Sequence, residues 1–294
     1  MLGHVITAMV TPFRADGAVD LERFRELATF LVDNGSDGLV VCGTTGESPT
    51  LSDEEKLALF RAAVETVGGR ATIIAGTGTY DTAHSVHLTH EATELGVDAI
   101  LVVTPYYNKP PQRAIVRHFE TIAGATRLPV VAYNIPGRVV TNIESATIAR
   151  LAEIENVVAV KQALDDPDQA RFIADETRLD LYSGDDPNTL DFLELGGVGV
   201  VSVTAHLWGP QIAEMIRRHR DGDVAGAREL HEEQQPSYGL LRIQTNPIPI
   251  KAALNLTGHE VGGHRLPMVD PDEEELAQIR SCLERAGLLA TASA

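Results

Sequence analysis

A chain of 294 residues is longer than most single domains, but it is close to what one α/β barrel with a short appendage requires. Its net charge of −18 at pH 7 argues against a nucleic-acid partner, because phosphates bind to basic surfaces. Hydrophobic residues make up 44% of the chain and charged residues 22%, a balance typical of a globular protein rather than a disordered one.

The N-terminal sequence and the cysteine content both indicate a cytoplasmic protein. The chain begins with neither a basic segment nor a long apolar run. No run in the sequence approaches the roughly 18 apolar residues that a membrane span requires. Cys42 and Cys282 are the only cysteines, too few for a disulfide framework, so we expect both as free thiols. We therefore expect a cytoplasmic protein that does not contact a membrane.

Short β-rich runs alternate with helical patterns along the chain. The apolar runs at 100–103 and 157–160 are continuous rather than alternating, as expected for parallel strands that are buried on both faces. An open doubly wound sheet would need a Gly-x-Gly-x-x-Gly turn after an early strand, and the chain has none. We therefore predict an α/β fold, a (β/α)8 TIM barrel. Its predicted strands are Val5–Val10, Gly38–Val41, Thr72–Ala75, Ala99–Val103, Pro129–Tyr133, Val157–Lys161, Asp180–Ser183 and Val198–Val203.

Helical patterns continue beyond the last predicted strand, further than a barrel requires. They cover residues 210–220, 224–243, 249–257 and 271–288. We interpret them as a C-terminal helical appendage. The chain then divides into a catalytic barrel, residues 1–222, and a C-terminal helical region, residues 223–294.

The catalytic groups of such a barrel lie at the carboxyl ends of the strands and in the loops that follow them. The second strand ends in Gly43-Thr44-Thr45-Gly46, which offers two hydroxyls and backbone N–H groups that can converge on an anion. A plain turn is the alternative. The segment is not a phosphate loop, because the Gly-Lys-Ser/Thr ending is missing.

The sixth strand ends in the residue that is most informative about chemistry. The chain has twenty Arg but only four Lys, and of these four only Lys161 closes an apolar strand. Burial disfavours the ammonium form of a lysine and supplies the neutral amine that attacks a ketone to form an imine. Arginine cannot do this, because it stays protonated. A lysine that extends to the barrel rim, or pairs with Asp165, is the alternative.

Two residues near the end of the fifth strand fit the same chemistry. An imine of pyruvate loses a methyl proton to become an enamine, which is a carbon nucleophile toward an aldehyde. Tyr133 closes this strand and is placed to carry the proton, although a tyrosine that only packs inside the barrel is the alternative. Arg138 follows a Pro-Gly pair that would expose it near the site, where it could bind a carboxylate through two hydrogen bonds. A surface arginine is the alternative there.

Three other groups of residues fit a structural role better than they fit a metal site or a cysteine nucleophile. His84, His87 and His90 have helical spacing with no carboxylate among them, which favours a solvated or packed helix face. Asp185-Asp186 could hold a divalent ion, but an acid pair in a loop is more typical of a cap or turn. Cys42 lies in an apolar strand, where a thiol packs as a small hydrophobe. We predict no metal.

Five segments at strand ends, taken in order, resemble the pyruvate-dependent class I aldolase family. They are Gly43–Ser48, Thr104–Asn108, Tyr133–Arg138, Val160-Lys161 and Ser183–Asp186, and the similarity extends from Thr7–Phe13 to Asn246–Lys251 and Arg265-Leu266-Pro267. The resemblance implies a barrel lyase that works without a metal or an organic cofactor, because the imine forms on a lysine of the protein.

The resemblance also implies roles for individual residues. Lys161 would be the Schiff-base residue and Tyr133 the proton donor and acceptor, while Thr44 would link Tyr133 to Tyr107 of a neighbouring subunit. The family is typically a homotetramer built from tight dimers, so we expect a homotetramer. The implied substrate contacts are Thr45 with the pyruvate carboxylate, Arg138 with the carboxylate of the acceptor, Gly46 in the turn, and the backbones of Gly184 and Val201 along the pocket.

The resemblance favours L-aspartate 4-semialdehyde as the acceptor, in diaminopimelate and lysine biosynthesis. A small acceptor that carries a carboxylate needs a cation at its far end, which Arg138 would supply. Family members that use this acceptor commonly have Thr-Gly where this chain has Val139-Val140. They usually have Glu where this chain has Gln162. Sister aldolases acting on N-acetylneuraminate or 2-keto-3-deoxy sugar acids are therefore an alternative. A non-catalytic keto-acid binding protein and a metal-dependent aldolase are alternatives of other classes.

Many members of the family are inhibited by lysine bound at a dimer interface. Ser48 and Tyr106 match the lysine-sensitive pattern, whereas Lys56, Tyr80 and His84 depart from it. Lys56 would repel a cationic effector, and His84 cannot replace the charge of a carboxylate. We therefore expect weak or absent feedback by lysine.

Overall fold

Eight parallel strands form a closed barrel in which each strand pairs with the next along the chain and β1 pairs with β8. The structure is a computed structural model that describes residues 2–290. The prediction of a (β/α)8 barrel is confirmed, with every strand within a few residues of its predicted place. The strands are β1 Val5–Ala8, β2 Gly38–Val41, β3 Thr72–Gly76, β4 Ala99–Val103, β5 Val130–Asn134, β6 Val157–Gln162, β7 Asp180–Ser183 and β8 Gly199–Ser202.

Helices surround the barrel, and several of them begin at a residue whose side chain caps the helix. In α2 the Ser52 side chain accepts from the backbone N–H of Glu55, and the Glu55 carboxylate accepts from the N–H of Ser52. The helices after the first seven strands are α1 Leu21–Asp33, α2 Asp53–Val67, α3 Thr82–Glu94, α4 Gln112–Ala123, α5 Pro136–Val139, α6 Ser145–Ala152, α7 Pro167–Glu176 and α8 Thr189–Glu194. Short 3-10 turns at Ser48–Thr50 and Asp186–Asn188 follow β2 and β7.

The chain after β8 is helical, as predicted, but it breaks at more places than the periodicity indicates. Residues 224–243 form two helices rather than one, because Pro236 lies in the first turn of the second helix and has no N–H for a continuous helix. The helices are α9 Ala205–Arg220, α10 Val224–Glu233, α11 Gln235–Leu240, α12 Ile248–Leu256 and α13 Glu273–Arg285. The domain boundary at residue 222 stays a prediction. Within residues 2–290, no helix is both long and apolar enough to span a bilayer.

The strands separate two layers of apolar side chains, one inside the barrel and one beneath the helices. Ile6, Val40, Leu101 and Tyr182 belong to the inner layer, and Tyr133 belongs to it as well. Alternate residues of the same strands pack outward against the helices, so both faces of the sheet are buried. A filled interior leaves the loops at the carboxyl ends of the strands as the place for a site.

A fully buried ion pair ties the C-terminal helices to the loop after β2. The Lys251 ammonium of α12 lies 3.0 Å from the Glu47 carboxylate, and the two side chains are 0% and 1% exposed. The ammonium also donates to the carbonyls of Thr11 and Gly263 and lies 4.4 Å from the centroid of the Phe13 ring. Burial lowers the pKa of Lys251, and the Glu47 carboxylate opposes this effect. Lys251 therefore stabilises the fold. From the sequence alone it is recognised only as a lysine on a predicted helix.

We predict that Lys251→Met lowers the free energy of unfolding by about 3–5 kcal/mol, because it leaves the Glu47 charge buried without its partner. Urea denaturation at neutral pH measures the change. The double variant Glu47→Met/Lys251→Met should recover most of the loss, since no charge remains buried. Equal losses in the single and double variants would show that packing, rather than the uncompensated charge, sets the cost.

Candidate active site

Lys161 and Tyr133 lie side by side at the carboxyl end of the barrel, as partners in the register between β5 and β6. The Lys161 Nζ lies 4.1 Å from the centroid of the Tyr133 ring. Lys161 is 5% exposed and Tyr133 is 4% exposed. Among residues 2–290, no carboxylate forms an ion pair with Lys161, so the alternative of a pair with Asp165 is excluded for the described chain. An amine held in this way can react with a ketone that enters the barrel mouth.

A cavity of about 340 Å³ opens beside this pair and contains most of the predicted site residues. Thr44, Thr45, Arg138 and Gly184 line it together with Lys161 and Tyr133. An adjoining cavity of about 230 Å³ shares Thr44, Tyr133 and Arg138 and extends toward Cys42 and Tyr106. Burial raises the pKa of the Cys42 thiol, which disfavours the thiolate and supports its role as a packed side chain.

The turn after β2 is shaped by close backbone contacts. A Cβ on Gly46 would lie 3.1 Å from the Met9 carbonyl oxygen, so a larger residue would displace one of the two segments. The Gly46 carbonyl accepts a hydrogen bond of 2.7 Å from the Thr11 hydroxyl. Glu47 follows in the left-handed region with φ 55°, held there by its contact with Lys251. Gly46 therefore positions the turn, while Thr44 and Thr45 reach the cavity.

Arg138 reaches the cavity from α5 and contacts the C-terminal helical region. Its Nη2 donates to the carbonyl of Asn246 at 3.1 Å and to the hydroxyl of Thr245 at 3.4 Å. The Asn246 carboxamide in turn donates to the Thr45 hydroxyl at 2.9 Å. These contacts of Asn246 have no local signal in the sequence, because its partners lie about 100 and 200 residues away in the chain.

The loop after β7 supplies a second wall of the cavity. Gly184 lines it, and a Cβ there would lie 2.8 Å from the Cβ of Ala163. Val201 lies deeper, in the inner layer of the barrel, whereas Val203 lines the cavity. Asp185 also lines the cavity, and desolvation, together with the neighbouring Asp186, raises the pKa of its carboxyl group.

Asp186 is buried and fixes the end of β8. Its carboxylate accepts from the backbone N–H of Val203 at 2.9 Å and from the Thr204 hydroxyl at 2.7 Å. It also accepts from the Ser202 hydroxyl and the Thr204 N–H. The acid pair that could have indicated a metal site is thus used within the protein. Among residues 2–290 no three His, Cys, Asp or Glu side chains are grouped to hold a metal ion.

Buried carboxamides pack behind Lys161 and Tyr133, on the outer face of β5 and β6. Asn134 donates to Gln162 at 2.9 Å and to Asn142 at 2.7 Å, and Gln162 donates to Gln169 at 2.6 Å. Asn134 and Gln162 directly follow Tyr133 and Lys161 in the sequence, so the network holds the ends of both strands. Gln162, which departs from the usual pattern, supplies the donor that a carboxylate at this position would lack.

Tyr107 does not join the site of its own chain. It is 92% exposed and has φ 72°, a strained value for a non-glycine residue. Its neighbour Tyr106 packs edge-on against Tyr80, with 5.3 Å between the ring centroids, and lines the adjoining cavity. The predicted link from Thr44 to Tyr107 therefore requires a second subunit.

Two of the residues expected to govern lysine feedback, Lys56 and His84, contact Asp53. His84 Nε2 lies 2.9 Å from the Asp53 carboxylate, and the buried Lys56 ammonium lies 3.8 Å from it. Two basic groups thus share one acid, while Ser48 and Tyr106 line the cavity of about 230 Å³. Weak or absent lysine feedback stays a prediction.

Comparison with known proteins assigns the chain to a family. A sequence model of the dihydrodipicolinate synthetase family matches residues 1–286. The chain belongs to the dihydrodipicolinate synthetase family. It is 51% identical, over 98% of its length and 99% of the relative's, to the 4-hydroxy-tetrahydrodipicolinate synthase of Moorella thermoacetica. The resemblance noted in the sequence is therefore confirmed.

Solved structures of the dihydrodipicolinate synthetase family have the same fold. The lysine-bound enzyme from Cyanidioschyzon merolae superposes with a TM-score of 0.96 at 44% identity, over 98% of this chain and 99% of that one. A variant described as the first monomeric dihydrodipicolinate synthase gives a TM-score of 0.94 at 38% identity, with 97% of each chain covered. These matches confirm an enzyme of the lyase class and argue against a non-catalytic binding protein.

Proposed function

We propose that the protein condenses pyruvate, held as an imine on Lys161, with L-aspartate 4-semialdehyde to give 4-hydroxy-tetrahydrodipicolinate, the first committed step of diaminopimelate and lysine biosynthesis. The observation that carries this proposal is the buried Lys161 amine, 4.1 Å from the Tyr133 ring centroid, at the edge of a cavity that Arg138 also lines. The relatives named above carry the name of this synthase rather than that of a sugar-acid aldolase.

The reaction needs no group beyond the protein and its substrates. The Lys161 amine adds to the carbonyl carbon of pyruvate, and loss of water leaves the imine. Removal of a methyl proton gives the enamine, whose carbon attacks the aldehyde and forms the new C–C bond as the aldehyde oxygen takes up a proton. The amine of the acceptor then adds to the imine carbon, which closes the ring and releases the Lys161 amine.

Tyr133 is the proposed acid and base for these proton transfers, with Thr44 as the link to Tyr107 of a neighbouring subunit. The Thr45 hydroxyl and the backbone of the Gly46 turn would hold the pyruvate carboxylate. Arg138 would bind the carboxylate of the semialdehyde, while the backbones of Gly184 and Val201 would line the pocket. The guanidinium favours an acceptor with a distal carboxylate over a neutral sugar aldehyde.

The remaining proposals concern cofactors, assembly and location. The imine replaces any metal or organic cofactor, so we propose that the enzyme needs none. A homotetramer built from tight dimers would bring Tyr107, 92% exposed in a single chain, into a neighbouring site. We propose pyruvate and the semialdehyde as its small-molecule partners, without nucleic acid or membrane. The free thiols of Cys42 and Cys282 support a cytoplasmic location.

Borohydride reduction in the presence of pyruvate tests the imine. We expect the reduced pyruvate adduct on Lys161 in peptide mass spectra, and no adduct in Lys161→Ala. Tyr133→Phe should lower kcat by about 10²–10⁴-fold, because it removes the proton carrier, while pyruvate can still be trapped. An adduct on another lysine, or none at all, would contradict the proposal.

Mixing two inactive variants tests whether Tyr107 acts across subunits. Tyr107→Ala lacks the tyrosine and Lys161→Ala lacks the imine lysine. After the two are mixed in equal amounts and allowed to exchange subunits, about a quarter of the sites should contain both groups if Tyr107 comes from the partner. Activity should therefore reappear on mixing. If each chain used its own Tyr107, every site would stay defective and the mixture would stay inactive.

A further inference from the structure

Asn246 lies between α11 and α12, in the C-terminal helical region, and its side chain lines the cavity beside Lys161. It contacts both residues to which a carboxylate-binding role is assigned. Its side-chain Nδ2 donates to the Thr45 hydroxyl at 2.9 Å, and its backbone carbonyl accepts from Arg138 Nη2 at 3.1 Å. One residue from outside the eight strands thus bridges the two ends of the substrate cavity.

The hydrogen bond from Asn246 to the Thr45 hydroxyl determines the direction of the Thr45 hydroxyl proton. Thr45 is 3% exposed, and among the described residues its hydroxyl has no other hydrogen-bond partner. Because the Asn246 amide donates to the oxygen, that oxygen acts as an acceptor and its own proton remains available. The proton can then be donated to a carboxylate in the cavity, which is a charge-assisted hydrogen bond.

The other end of the carboxamide gains no hydrogen bond in this orientation. The Asn246 Oδ1 is buried and has no hydrogen-bond partner within residues 2–290. A buried acceptor without a donor carries an energetic cost. The reversed amide would place this oxygen against Thr45, and the Thr45 proton would then be donated to Asn246 instead of a substrate.

We propose that Asn246 is a positioning residue for both substrates. Its carboxamide directs the Thr45 hydroxyl proton toward the pyruvate carboxylate, and its carbonyl holds the Arg138 guanidinium over the acceptor end of the cavity. This inference rests on the proposed function, because it takes pyruvate as the ligand beside Lys161. The Lys251–Glu47 pair anchors the segment that carries Asn246 to the turn that carries Thr45.

The test measures the pyruvate concentration that gives half-maximal borohydride trapping on Lys161 in the full-length protein. Asn246→Leu keeps the number and branching of the side-chain heavy atoms and the backbone carbonyl but loses the amide donor. We expect Asn246→Leu to raise the pyruvate concentration for half-maximal trapping about tenfold, which corresponds to the loss of one hydrogen bond to a charged group. Asn246→Asp should raise it further, since a carboxylate draws the Thr45 proton and repels the pyruvate carboxylate. Gln235→Leu, which removes an exposed amide at the start of α11, serves as the matched control.

A double-mutant cycle separates positioning from a general structural role. In a Thr45→Val background the hydroxyl is absent, so Asn246→Leu should change the trapping concentration by less than about twofold. An effect of Asn246→Leu that is equally large with and without the Thr45 hydroxyl would overturn the inference, as would trapping by Asn246→Leu at the wild-type concentration. The cycle with Asn246→Ala, which also removes the amide donor without adding a charge, gives the same test if Asn246→Leu does not fold.

The same experiment keeps the two proposals distinct. Trapping in the wild-type protein together with an unaltered Asn246→Leu variant would leave the proposed function intact and overturn only the role of Asn246. A wild-type protein that traps no pyruvate would overturn both. A tenfold rise that depends on Thr45 supports both.

Discussion

The register between β5 and β6 is the constraint on which the site depends. It makes Tyr133 and Lys161 partners on adjacent parallel strands, at the level where the filled barrel interior ends. A shift of one residue in this pairing would point one of the two side chains toward the helices, because successive side chains of a strand point to opposite faces. The carboxamides of Asn134 and Gln162 on the outer face oppose such a shift, since they bond to each other and to Gln169.

The C-terminal helices complete this site rather than merely extend the barrel. Two contacts carry the connection, the buried ion pair of Lys251 with Glu47 and the bridge of Asn246 to Thr45 and Arg138. The ion pair reaches the loop after β2, and the Asn246 bridge reaches the loops after β2 and β5. The strands therefore position Lys161 and Tyr133, and the C-terminal helical region orders the side chains of Thr45 and Arg138.

Local patterns in the sequence were sufficient to predict the strands and the residues at their ends. The continuous apolar runs could be recognised as buried parallel strands, and Lys161 stood out as a lysine that closes one of them. The contacts of Asn246 and of Lys251 could not be predicted in the same way, because each joins segments about 200 residues apart. The break between α10 and α11 was missed since helical periodicity continues across Pro236, although the proline was a usable signal.

The central claim is that this cavity condenses pyruvate with an aldehyde that carries a distal carboxylate. The rate of pyruvate consumption with aspartate semialdehyde, N-acetylmannosamine or glyceraldehyde as the acceptor, with Lys161→Ala as the blank, tests it most directly. The account predicts turnover with the semialdehyde and none with the two sugar aldehydes. Preferred turnover of either sugar aldehyde would contradict the role given to Arg138 while keeping the imine on Lys161.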